Sequence, residues 1–177
     1  MRLTYLHIYL LSLGILSCTD QSNDQQLENS INSVEQKKGI ELIVLGTLQD
    51  AGSPHIACTK SCCNNLSLEA KAKRKVVCLG LIDHNNKKRY LIEASPDLST
   101  QLDELDQNFN YESEELVDAI FLTHAHIGHY SGLMYLGKEA NDAKEIPVYA
   151  MPRMKAFIES NGPWNQLVKR KNIAIQE

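Results

Sequence analysis

The segment Phe121-Leu122-Thr123-His124-Ala125-His126-Ile127-Gly128-His129-Tyr130-Ser131-Gly132-Leu133 decides how this chain is read. Three of the six histidines fall in it, between positions 124 and 129. Directly before them runs Val117-Asp118-Ala119-Ile120-Phe121-Leu122, β-branched and aromatic and preceded by acidic residues, which is the pattern of a buried strand. The histidines therefore stand where a strand ends and a turn or helix begins. In extended backbone His124 and His126 point to the same side. His129 follows where the chain can fold back toward them. Neutral imidazole is the commonest side-chain ligand for zinc and related ions. The spacing predicts a metal site made of His124, His126 and His129.

Thr123 to Leu133 also resembles Thr-His-x-His-x-Asp-His-x-x-Gly-Leu, the signature of the metallo-β-lactamase fold hydrolases, at every defined position but one. The departure is Gly128, which stands where that family carries aspartate. Glycine has no side chain to coordinate with, so one carboxylate ligand is missing there. The resemblance implies zinc, with iron as the alternative. It also implies one or two ions, the second deprived of its usual ligand at Gly128.

Composition sets the outer bounds. The chain has 177 residues, 43% of them hydrophobic and 23% charged, as in an ordinary globular domain. The formal net charge is −4 and no basic stripe marks a nucleic-acid surface. Arg2, the apolar run Ile8 to Leu16 and the small residue Ser17 have the layout of a secretory leader, too short to span a bilayer. Ile15-Leu16-Ser17-Cys18 resembles a bacterial lipobox, which makes Cys18 the expected lipidation site. Expected boundaries are thus a leader over 1–17, a polar tether over 18–38 and a domain over 39–177. The tether holds too few apolar residues to offset its ordering entropy. The expected location is the bacterial cell envelope, with the membrane reached through Cys18.

Within the domain, Gly39 to Thr47 reads as a first strand. The Gly- and Pro-containing loop behind it holds His55, Cys58, Cys62 and Cys63. These cysteines fit either a structural zinc or one disulfide with an odd thiol left over. Lys75 to Asp83 and Arg89 to Ala94 read as a hairpin, with Asn85-Asn86 taking the positive φ of its turn. Cys78 is expected to be an inert buried thiol and His84 a solvated turn residue. Ser95 as N-cap, Pro96 and Asp97 predict a helix start, with residues 103–116 a polar surface connection. A helix is expected from His129 to Leu136 and another from Pro152 to Ile158. Strands are expected at Ile146 to Ala150 and Asn172 to Ile175.

Ala94-Ser95-Pro96-Asp97-Leu98, with Gln101-Leu102 and the cysteine loop, looks like the branch typified by pyrroloquinoline quinone biosynthesis protein B. Strands alternating with helices predict an α/β class. The resembled fold is an αββα sandwich, of which this chain supplies about the N-terminal half, as a mixed sheet with flanking helices. No histidine follows His129, so the family's later ligands have no counterpart. A truncated copy of a longer protein is the expectation, with one apolar sheet face left open to association.

The expected function is a metal-dependent hydrolase acting on a small-molecule ester, phosphodiester or lactam-like substrate. An ion at His124 and His126 would lower the pKa of bound water toward about 7. Two other functions stay open: an iron-dependent oxygenase-like or carrier protein for a quinone cofactor or its precursor, and a non-catalytic lipid-anchored binding protein.

Overall fold

A computed structural model describes residues 37–177. The expected leader, Cys18 and nearly all of the expected tether lie outside these residues. Six strands form one sheet in the order of the chain: β1 (Ile40–Gly46), β2 (Cys78–Asp83), β3 (Lys88–Ile92), β4 (Ala119–Phe121), β5 (Ile146–Tyr149) and β6 (Ile173–Gln176). The first three are antiparallel and the last four run parallel, giving the mixed sheet expected. Between them lie α1 (Ser61–Asn64), α2 (Leu68–Ala72), α3 (Leu98–Asn108), α4 (Pro152–Ser160) and α5 (Trp164–Lys169). Among the described residues no helix is long and apolar enough to cross a membrane.

Alternation in the strands sorts the two faces of the sheet. Ile82, Leu91, Ile120 and Val148 are fully buried under Leu98 and Leu105 of α3 and Ile158 of α4. Their neighbours point the other way, where nothing among the described residues covers them. Ile40, Leu42 and Val44 of β1 are between 57% and 61% exposed on that side. Phe121 and Tyr149 stack there with ring centroids 4.9 Å apart. The open apolar face expected from the sequence is present.

Several local expectations are corrected. His84 is buried rather than solvated, because the turn folds back between two partners. Its Nε2 lies 2.9 Å from a Glu41 carboxylate oxygen on β1 and its Nδ1 lies 3.0 Å from the Tyr111 hydroxyl. The positive φ of the hairpin falls on Lys87, while the Asp83 carboxylate accepts the backbone N–H groups of Asn85 and Asn86. Helix α3 begins at Leu98, so Ser95 is not its cap, and it runs on to Asn108 through the expected surface connection. Leu105 and Phe109 turn inward there, and the acidic residues between them leave one face apolar. Asp106 pairs with the buried guanidinium of Arg89, which also stacks on the Phe109 ring at 4.5 Å. The expected helix from His129 consists of two 3-10 turns, Ile127–His129 and Ser131–Leu136.

Ser95 and Asp97 have another use. The Ser95 hydroxyl donates to Gln101 Oε1 at 2.7 Å, and Gln101 Nε2 donates to the Val76 carbonyl at 2.7 Å. Asp97 Oδ2 accepts the Val76 N–H at 2.8 Å. All three tie the exit of β3 to the entry of β2.

Cys78 is buried as expected. Burial first, and the nearby Glu93 charge second, push its thiol up from 9.0 to about 12. The folded state thus favours the neutral thiol, while the unfolded chain releases its proton near the ordinary value. This contribution is complete below about pH 9 and declines as the pH rises toward 12. We expect the stability of Cys78→Ala to fall less steeply over that interval in urea unfolding at stepped pH. Parallel declines would exclude Cys78 as the source.

Candidate metal centre

The loop after β4 and the segment after β3 meet at the ends of two adjacent parallel strands, the usual position for sites in such sheets. Backbone hydrogen bonds lace them together: Glu93 N–H to the Phe121 carbonyl, Ala94 N–H to the His129 carbonyl and Gly132 N–H to the Ala94 carbonyl, each 2.9 Å. That lacing brings in a residue the sequence reading missed. Glu93 follows β3 with φ +82°, is buried, and places its carboxylate among the histidines. A charged residue closing an apolar strand was the available signal.

The structure brings His124, His126 and His129 together, with His124 in the middle. Its ring centroid is 4.7 Å from that of His126 and 4.1 Å from that of His129, whereas His126 and His129 are 6.5 Å apart. The tightest donor set is Glu93, His124 and His129, whose ligand atoms lie within 4.8 Å of one another. His126 stands at the rim, largely exposed, with Nδ1 3.7 Å from Asp50 Oδ2.

Two features of this set suit a cation. Glu93 Oε2 and His129 Nδ1 are buried, have no hydrogen-bond partner and lie 3.4 Å apart. Leaving such groups unsatisfied costs about 1–3 kcal/mol each, which a shared ion would recover. The second feature is the Thr123 hydroxyl, which donates to Glu93 Oε1 and lies 2.8 Å from His124 Nδ1. Its single proton goes to the acceptor-only carboxylate, so its lone pair receives Nδ1–H from His124. That fixes the tautomer and leaves His124 Nε2 with a free lone pair, as a metal ligand needs. The donor set therefore fits a divalent ion such as zinc.

Cys58, Cys62 and Cys63 are free thiols, so the disulfide alternative is not realised. Their sulfurs converge within 4.8 Å of one another, which suits a soft ion. His55 is exposed and stands outside this group, its ring against the Gln49 side chain.

A mixed sheet with helices on one face, carrying a histidine-rich turn at the ends of its parallel strands, defines an α/β protein whose side chains could hold a metal ion. Residues 88–177 match the family described as the beta-lactamase superfamily domain, and the chain belongs to that superfamily. Zinc-bound PqqB from Methylobacterium extorquens shares the fold, with 21% identity and a TM-score of 0.60, over 76% of this chain and 48% of that one. A diphosphatase of the PhnP family is also similar, with 21% identity and a TM-score of 0.55, over 78% of this chain and 50% of that one. The chain thus spans about half the length of either structure. No curated protein matches it by sequence.

Proposed function

We propose that this chain carries the metal-binding part of a zinc-dependent hydrolase for a small ester, phosphodiester or lactam-like substrate. The observation that carries the reading is the buried pair of unpartnered atoms on Glu93 and His129, with His124 beside them. When bound, zinc lowers the pKa of a coordinated water toward about 7 and polarises the bond under attack. The chain's own groups do the rest. Glu93 supplies negative charge, its backbone tied to the segment after β4 by its N–H on the Phe121 carbonyl. Thr123 orients both Glu93 and His124. The exposed rings of His124 and His126 face the solvent side, from which a substrate would arrive.

The test is metal content of the purified chain, together with hydrolysis of p-nitrophenyl acetate and bis-(p-nitrophenyl) phosphate. We expect His124→Ala/His126→Ala to lose the histidine-held ion and to fall to the background rate. We expect the triple Cys58→Ser/Cys62→Ser/Cys63→Ser variant to keep that ion. Retention of metal and rate by the histidine variant would remove the hydrolase reading. Bound iron with oxygen consumption would replace it by redox chemistry.

A further inference from the structure

Gly128 lies in the first 3-10 turn and is buried against the loop that follows β1. A Cβ placed on it would meet Asp50 Cβ at 2.2 Å, the Asp50 carbonyl oxygen at 2.5 Å and Asp50 Cα at 2.7 Å. Two of those three atoms are backbone and cannot swing aside, so no side chain fits at position 128 while Asp50 is there. The glycine is required by this close approach. Asp50 in turn sits in a tight turn closed by Gly52 N–H on the Gln49 carbonyl at 2.9 Å, with Ala51 N–H on Gln49 Oε1 at 3.1 Å. This turn presents the carboxylate to His126, with Oδ2 3.7 Å from Nδ1. The histidine row therefore has an acid at each end: Glu93 beside His129, and Asp50 beside His126.

We propose that Asp50 is the second carboxylate of the metal centre, acting with His126 on the side away from Glu93 and His129. The histidine segment then needs no acid of its own. The absent side chain at 128 is what lets the loop after β1 deliver one. The ligand class is a divalent transition ion that accepts mixed imidazole and carboxylate donors, such as zinc. This inference rests on the metal-dependent reading above.

Zinc affinity of the full chain carrying Cys58→Ser/Cys62→Ser/Cys63→Ser, measured by competition with a chromophoric chelator so that the thiol cluster does not contribute, tests it. The visible spectrum of the cobalt(II) form provides a second readout, sensitive to a change of ligand. Asp50→Asn keeps the shape of the side chain and removes its charge, and circular dichroism checks its fold. We expect Asp50→Asn to weaken zinc binding at least 10-fold and to alter the cobalt spectrum. Unchanged affinity and spectrum in Asp50→Asn, with metal still lost in His124→Ala/His126→Ala, would overturn the role of Asp50 alone. Zinc binding unaffected by either variant would overturn both this inference and the hydrolase reading.

Discussion

Glu93→Gln is expected to bind zinc about 10- to 100-fold more weakly than the unaltered protein. The substitution keeps the length of the side chain and its contact with Thr123, but removes the negative charge facing His129. Of the two carboxylate oxygens, Oε1 already receives the Thr123 hydroxyl, while Oε2 is buried without a partner 3.4 Å from His129 Nδ1. An amide nitrogen at the Oε2 position would repel an ion where the carboxylate attracts one. Chelator competition reads the affinity, and thermal unfolding without metal reads the fold. An affinity within a factor of two of the parent would exclude Glu93 from the centre.

Gly132→Ala should be strongly destabilising. A Cβ on Gly132 would lie 2.0 Å from the Ser95 carbonyl oxygen and 2.9 Å from that of Ala94. Both are backbone atoms, and Gly132 N–H is bonded to the second of them. The two segments must separate, at a cost of about 3 kcal/mol. Urea unfolding should show that loss as a lower midpoint with an unchanged slope. Because Ala94 follows Glu93 directly, the same displacement should weaken zinc binding. A midpoint equal to the parent's would mean that the contact is soft.

The sequence was legible where short-range pattern decided the structure. The strands, the hairpin and the position of the histidines follow from local pattern: alternation in Cys78 to Asp83, turn residues after it, and an apolar run before His124. The resemblance carried by Thr123 to Leu133 pointed to the superfamily that the family match shows. What escaped was decided by distant partners. His84 is buried because Glu41 and Tyr111 close on it, and neither is near in sequence. Helix α3 continues past residue 103 because Leu105 and Phe109 find the core and Arg89 pairs with Asp106. Ser95 and Asp97 carry the composition of a helix start, but the Val76 segment claims Asp97 and the Gln101 side chain claims the Ser95 hydroxyl. Glu93 escaped because its carboxylate meets the histidines only once β3 and β4 pair. The grouping within the site shifted for the same reason, with His129 joining Glu93 and His124 while His126 moved to the rim.

The donors of the centre come from separate segments, Glu93 after β3 and His124 and His129 after β4. Glu93 joins these histidines only in the folded chain. An ion bound there has its full ligand set only in the folded chain, so its binding adds to the folding equilibrium, less whatever the histidine segment retains unfolded. At free zinc one hundred times the dissociation constant the gain is about 2.7 kcal/mol, a large share of the margin that keeps a domain of this size folded. If the zinc-dependent reading proposed above holds, zinc supply would set how long the chain survives quality control as well as whether its site is filled.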